Sequence, residues 1–110
     1  MFPHRWTPEG VTVECEFTGA HLLHLAVAGC VLNDVFREAT SLGITVNGVR
    51  VTAEGDFDAA EWTSTGITYV VEVDSLASET ETALLLDRVD GVSEIPKAVR
   101  AGARVERVGR

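Results

Sequence analysis

Cysteine and basic residues are both scarce in this chain of 110 residues. Two cysteines are too few for the dense disulfide framework of a small secreted domain, so we expect reduced thiols and a cytoplasmic protein. Nine basic residues stand against 17 acidic ones, and the formal charge of −8 repels phosphate backbones and anionic lipid headgroups. The composition therefore argues against nucleic acid as a partner.

Long apolar runs and export signals are lacking too. The run Leu22–Leu32 is shorter than the roughly 20 residues that cross a bilayer, and His24 interrupts it. The N-terminus has no basic region leading directly into an apolar segment, so it does not resemble a signal peptide. We therefore expect a single domain over residues 1–110, with residues 1–10 as an N-terminal arm and no membrane contact.

The stretch from Ala20 to Leu42 is the segment around which the other elements must be arranged. It contains no proline, and as a helix of roughly 35 Å it would cross the whole domain. Its first half is apolar on nearly every side, and such a helix must be covered all round. Because a domain of this size buries only about 60 to 70% of its unfolded surface, the pattern indicates a partner chain.

Hydrophobic periodicity and capping residues predict the remaining elements. Alternation predicts a first strand over Val11–Phe17, and Thr18 and Gly43 are suited to begin and end the long helix. After that helix we predict strands Val49–Phe57 and Ile67–Val73, a helix from Glu79 to about Val89 that opens with a capping box and buries Leu84 and Leu85, a short helix Glu94–Arg100, and a closing strand Ala103–Val108. This order is typical of an α+β fold with antiparallel strands.

Cys15, His21 and His24 form the first group of candidate site residues. Cys15 is expected to face the buried side of its strand, either as a core residue or as a second thiol beside Cys30. The two histidines share one helical face, but Cys30 lies about 9 Å further along the helix axis, too far to ligate the same zinc ion. We therefore predict no metal site and expect both histidines at a dimer seam.

Three short motifs occur in a characteristic order along the chain. The first is an L-L-x-L-A-x-A-G-C run that opens the long helix, the second is a G-I-x-V-x-G connection, and the third combines V-S with R-A-G. They correspond to Leu22–Cys30, Gly43–Gly48, Val92–Ser93 and Arg100–Gly102. Over about residues 11–108, the chain resembles the OsmC/Ohr family of osmotically inducible and organic-hydroperoxide-resistance proteins.

The resemblance implies both a fold and an activity. The implied fold is a long central helix packed against an antiparallel sheet, in an intertwined homodimer whose central helices pack back to back. The implied activity is thiol-dependent reduction of organic hydroperoxides in oxidative or osmotic stress. In the family's peroxidases the helix thiolate becomes a sulfenic acid, which condenses with a second thiol.

Only part of the family's peroxidase site is matched. Cys30 corresponds to the reacting cysteine, whereas Asp90 stands where the second cysteine is expected. Ala20 and His21 replace the acidic residue that precedes the L-L run, and Arg5 is the arginine available near the N-terminus. The resemblance therefore assigns Cys30 as the catalytic residue and leaves the two-cysteine cycle incomplete.

The acidity of Cys30 decides whether this assignment can work. A thiol attacks as thiolate, and nearby carboxylates raise its pKa. Asp34 lies one turn further along the same helical face, and Asp90 is expected to approach the same place. These two acids and burial predict a protonated Cys30 at pH 7, unless Arg5, Arg37 or a histidine of a second subunit neutralises them.

Three interpretations of function remain open. The first is a hydroperoxide reductase that uses Cys30 and a separate reductant. The second is a catalytically inactive homodimer that binds a small apolar ligand at its seam. The third is a structural protein whose crevice is filled. None of them requires a cofactor.

Overall fold

Residues 1–109, the part of the chain that the computed structural model describes, form three helices and a two-stranded antiparallel sheet. The elements are α1 (Gly19–Leu42), β1 (Gly48–Phe57), β2 (Ser64–Asp74), α2 (Glu79–Val92) and α3 (Glu94–Ala101). The architecture is α+β, as the sequence predicts.

Both ends of α1 are set by local chemistry. The Thr18 hydroxyl oxygen accepts a hydrogen bond from the backbone N–H of His21, which satisfies one free donor of the first turn. Gly43 adopts a left-handed conformation with φ of 72°, and its N–H donates to the carbonyls of Ala39 and Thr40. The sequence prediction for this helix is confirmed to within one residue at its start.

β1 and β2 form a hairpin joined by residues 58–63. The strands pair antiparallel with Val51 opposite Val71 and Thr52 opposite Val70. Val51 and Val71 pack against the core residues of α1, whereas Val70 is exposed on the other face. Near the end of β1, a side chain at Gly55 would collide with the Gly66 carbonyl, which explains the glycine at this close approach. Both predicted strands are confirmed, and the second begins three residues earlier than predicted.

The core lies between the second half of α1, α2 and the inner face of the hairpin. Its fully or nearly fully buried members are Val31, Val35, Ala39, Leu85 and Val89. Valines of both strands pack against this cluster from the sheet side. The capping box at the start of α2 is present, because Ser78 and Glu81 bond each other's backbone N–H groups.

The predicted first and last strands are wrong for the single chain. Val11 makes one isolated bridge with Phe2, and residues 12–16 have no regular structure. Residues 103–109 are also irregular, and the exposed fractions of Phe17 and Val105 are 90% and 92%. Alternation produces a strand only where a sheet edge and a covering layer are available, and one chain supplies neither at these positions.

The end of α2 also differs from the prediction. Asp90 and Gly91 were expected to stop the helix, but it continues to Val92. Gly91 lowers helix stability by only about 1 kcal/mol relative to alanine, a cost that tertiary contacts of Asp90 can offset. Leu84 is 62% exposed rather than buried, since Leu85 takes the core position of that turn.

The first half of α1 is incompletely covered by its own chain. Leu22 is 38% exposed, and Ala26 and Gly29 are also exposed. By length and composition α1 is long and apolar enough to cross a bilayer, whereas the predicted apolar run Leu22–Leu32 is too short. The core helices of soluble proteins meet the same criterion of length and composition. The buried, ion-paired Glu38 and the core contacts of Val35 favour a core helix.

Replacing Leu85 with alanine tests the position of the core. We expect Leu85→Ala to lower the free energy of unfolding by about 2 to 5 kcal/mol, because it removes a buried side chain and leaves a cavity. The matched control is Leu84→Ala in the same turn, with an expected effect of less than about 0.5 kcal/mol. Urea unfolding measures both, and equal losses would contradict this assignment of faces.

Candidate functional site

Cys30 lies in the middle of α1, and its side chain is partly buried beneath the start of α3. Its Sγ donates to Oδ2 of Asp34, one turn further along the helix, at 3.6 Å. The two residues share a face because they are four positions apart. The sequence prediction that a carboxylate lies beside this thiol is correct for Asp34.

Asp34 is the centre of a buried hydrogen-bond network. Asp34 is only 3% exposed. Its Oδ2 accepts from the fully buried Ser93 hydroxyl at 2.9 Å, and its Oδ1 accepts from Nδ2 of Asn33 at 3.2 Å. Arg37 pairs with Oδ1 at 3.1 Å. The carboxylate thus joins the α2–α3 junction to α1 next to Cys30.

The surroundings of Cys30 make its thiol a weaker acid. Burial is the largest cause that raises its pKa, and the Asp34 carboxylate raises it further. The backbone N–H groups of Ile95 and Glu94 act in the opposite direction, since they can donate to a thiolate. The pKa of Cys30 lies above its ordinary value, which favours the thiol at neutral pH. The predicted direction is correct, with Asp34 as the acid responsible and without Asp90.

A second buried carboxylate, Glu38, lies one turn beyond Asp34. Arg37 donates to its Oε2 at 3.0 Å, and Arg88 of α2 donates to its Oε1 at 2.6 Å. The hydrogen bonds from Arg37 and Arg88 lower the pKa of Glu38 below its ordinary value. Arg37 therefore bridges Asp34 and Glu38.

The N-terminal arm reaches this network through a residue that sequence reasoning missed. His4 contacts Oδ1 of Asn33 at 3.0 Å and the Thr7 hydroxyl at 3.0 Å, and its ring meets Phe36 edge-on. No local pattern links His4 to a residue 29 positions away. Arg5, proposed from the family resemblance, instead lies over the ring of the neighbouring Trp6.

The prediction that Asp90 approaches Cys30 is wrong. Asp90 is exposed, accepts from the Tyr69 hydroxyl and pairs with Arg100 at 2.9 Å. The Tyr69 hydrogen bond, followed by that of Arg100, lowers the pKa of Asp90. Burial and the Asp90 carboxylate raise the pKa of Tyr69 to about 12. This group connects β2, α2 and α3 on the outer surface.

Cys15 and the two helix histidines do not join the Cys30 network. Cys15 is exposed rather than in the core, because the strand expected to carry it does not form, and both thiols are free. The His21 ring contacts the Thr18 hydroxyl at 2.6 Å. His24 is buried and stacks on Phe57. Within residues 1–109, no cluster of three or more histidine, cysteine or acidic residues is arranged to hold a metal ion.

A cleft of about 560 Å³ lies beside the first half of α1. It is bounded by residues 11–15, α1 and β1, and both Cys15 and His24 line it. Gly29 and Leu32, on either side of Cys30 in sequence, line its wall as well. The cleft is therefore adjacent to the helix segment that carries the thiol.

The fold and the site together define an α+β protein with a partly buried cysteine inside a long helix. The chain belongs to the family of OsmC-like proteins, whose model matches residues 9–107. The resemblance inferred from the motifs is thereby confirmed. No curated protein is significantly similar in sequence.

Solved structures of this family have the same fold. The OsmC-like protein of Mycoplasma pneumoniae superposes with a TM-score of 0.73 at 20% identity, covering 84% of this chain and 69% of that one. An organic hydroperoxide resistance protein, described as a predicted redox protein, from Legionella pneumophila gives 0.66 at 20% identity, covering 76% and 61%. An OsmC-like hydroperoxide resistance protein from Jannaschia gives 0.65 at 14% identity, covering 84% and 67%.

Replacing Arg88 tests the buried ion-pair network. We expect Arg88→Gln to lower the free energy of unfolding by about 1 to 2 kcal/mol at pH 7, because Glu38 loses one of its two cationic donors. Glu38 has a lowered pKa, so its contribution is present above its ordinary value of 4.5 and is lost as pH falls through the folded-state value.

Urea unfolding over this pH range measures the effect. The difference between the wild type and Arg88→Gln should shrink on acidification. Arg107→Gln, which removes an exposed charge beyond α3, is the control and should have little effect at any pH. A difference that is independent of pH would contradict the assigned role of Glu38.

Proposed function

We propose that this protein reduces organic hydroperoxides through Cys30, which acts as its single reacting thiol. The observation that carries the proposal is the position of Cys30: a partly buried cysteine on the long helix of an OsmC-like chain, close to the backbone N–H groups of Ile95 and Glu94. The relatives described as hydroperoxide resistance proteins support the substrate class. A role in the cytoplasmic response to oxidative or osmotic stress is part of the proposal.

The first step forms a sulfur–oxygen bond and breaks the peroxide bond. The Cys30 thiolate attacks the terminal oxygen of the hydroperoxide, and the alkoxide leaves and takes up a proton to become an alcohol. Sulfur is oxidised to sulfenic acid, while the peroxide is reduced. A small thiol or dithiol then condenses with the sulfenic acid and releases water, and a second thiol frees Cys30 and carries away the disulfide.

The need for an external reductant follows from the residues at the two positions where a second thiol was considered. Position 90 holds a carboxylate, which cannot condense with a sulfenic acid, and Asp90 is engaged with Tyr69 and Arg100. Cys15 is exposed on the irregular segment before α1. The proposed cycle therefore uses one protein thiol rather than two.

A homodimer is the second part of the proposal. Leu22, Ala26 and Gly29 lie three and four residues apart, so they form one face of α1, and all three are exposed in the single chain. A side chain added at Gly29 would meet no atom of its own chain within 4 Å. Such a face suits close packing of the same helix from a second copy, next to the cysteines.

Enlarging Gly29 tests the dimer. We expect Gly29→Leu to convert the dimer to monomer, because a Cβ at this position meets no atom of its own chain within 4 Å, whereas the longer side chain would separate two closely packed helices. Gly91→Leu is the matched control, since Gly91 is also helical and has no atom within 4 Å of an added side chain. Sedimentation velocity measures both variants, and a wild type that sediments at 11.8 kDa would contradict the proposal.

The activity itself is tested by removing each thiol separately. Cys30→Ser should abolish reduction of cumene hydroperoxide in the presence of dithiothreitol, whereas Cys15→Ser should retain it. Because the pKa of Cys30 is raised, the wild-type rate should keep rising between about pH 7 and pH 9 as the thiolate fraction grows. Equal rates for the wild type and Cys30→Ser would contradict this role of Cys30.

A second candidate function is a catalytically inactive dimer that binds a small apolar ligand. The raised pKa of Cys30 and the cleft beside α1 favour it. Under this alternative, native mass spectrometry of the purified protein should detect a retained ligand, and no variant should reduce hydroperoxide. The two candidates therefore differ in a single activity measurement.

A further inference from the structure

The junction between α2 and α3 uses its capping residue in an unusual way. Ser93 occupies the N-cap position of α3, but its side chain makes no capping hydrogen bond. Its hydroxyl instead donates to Oδ2 of Asp34 at 2.9 Å, on α1. The first backbone N–H groups of α3 therefore lack the acceptor that a serine cap normally provides.

The Cys30 sulfur lies between Asp34 and the first turn of α3. On one side Oδ2 of Asp34 accepts from the thiol, which requires the sulfur to carry its proton. On the other side, α3 begins at Glu94, directly after the Ser93 that bonds Asp34. The backbone N–H groups of Ile95 and Glu94 lower the pKa of Cys30, because they favour a thiolate over a thiol. Asp34 and the first turn of α3 therefore favour opposite protonation states of the same sulfur atom.

We propose that Asp34 and the first turn of α3 compete for the Cys30 sulfur, so that Asp34 holds it as an unreactive thiol and α3 receives it as a reactive thiolate. This inference rests on the proposed role of Cys30 as the reacting thiol and concerns the regulation of that site. Asp34 acts here as a positioning residue, and the Ser93 hydroxyl limits how strongly it can hold Cys30, because both donate to the same oxygen.

Other charged groups near the sulfur bear on this competition. Arg37 of α1 pairs with Asp34 and is influenced by the charge of Cys30. Glu94 of α3 contributes its backbone N–H, while its side chain is exposed. From the arm, His4 reaches Asn33, which in turn donates to Asp34. Among the charged side chains in the described part of the chain, Asp34 is the one that accepts a hydrogen bond from the thiol.

The experiment measures how the alkylation rate of Cys30 by iodoacetamide depends on pH. All variants carry Cys15→Ser, so that Cys30 is the only thiol. Asp34→Asn keeps an oxygen that can accept from Ser93 but removes the charge, and its midpoint should fall by about one pH unit. Alkylation at pH 7 should then be about tenfold faster than in the parent.

Glu38→Gln is the matched control. It removes a buried carboxylate from the same helix, one turn further on, that bonds Arg37 and Arg88 rather than Cys30. Because Glu38 reaches Asp34 only through Arg37, the alkylation midpoint of Glu38→Gln should shift much less than that of Asp34→Asn. An unchanged midpoint in folded Asp34→Asn, or an equal shift in Glu38→Gln, would overturn the inference.

Ser93→Ala keeps the inference testable if Asp34→Asn does not fold. Removing the competing hydroxyl leaves Oδ2 of Asp34 to Cys30 alone, so the midpoint should rise and alkylation at pH 7 should slow. A midpoint that falls or stays constant would contradict the competition.

The alkylation assay needs no hydroperoxide, which separates the two proposals. A wild type that reduces no hydroperoxide at any pH, together with the expected shift in Asp34→Asn, would remove the proposed activity and leave the control of Cys30 by Asp34 standing. Hydroperoxide reduction together with an unchanged midpoint in Asp34→Asn would do the reverse.

Discussion

The rest of the site depends on the hydrogen bonds and the ion pair of the buried Asp34 carboxylate. It accepts hydrogen bonds from α1 itself and from Ser93, which lies 59 residues further along the chain. A buried charge is costly unless it is paired and hydrogen-bonded, and Arg37 and Ser93 meet both conditions. The position of α3 over Cys30 follows from this requirement, because Ser93 is the first residue before that helix.

The elements that sequence reasoning placed correctly are those whose signals are local. Thr18 and Gly43 mark the ends of α1 through their own backbone chemistry, and the capping box at Ser78 does the same for α2. The hairpin strands were found because alternation there coincides with a real packing surface. At Val11–Phe17 the same alternation occurs without a neighbouring strand, so periodicity alone gave a wrong element.

The site was predictable to the same extent. Asp34 was found beside Cys30 because a spacing of four residues fixes neighbours on a helix. Ser93 belongs to a motif that was noticed, but its hydrogen bond to Asp34 depends on how α3 returns to α1. The position of Asp90 was wrong for a related reason. Its match to a family cysteine predicted a side chain directed at Cys30, but its hydrogen bonds with Tyr69 and Arg100 direct it elsewhere.

The junction between α2 and α3 is held from two directions, by Ser93 on the inside and by Asp90 on the outside. A chain that resolves its own oxidised sulfur needs a partner group that can travel to it. In this protein the α2–α3 junction next to Cys30 is held by hydrogen bonds on both its inner and its outer side, and these contacts oppose its movement. Under the proposed cycle, reduction of an oxidised Cys30 therefore depends on thiols that diffuse in from solution rather than on a motion of this junction.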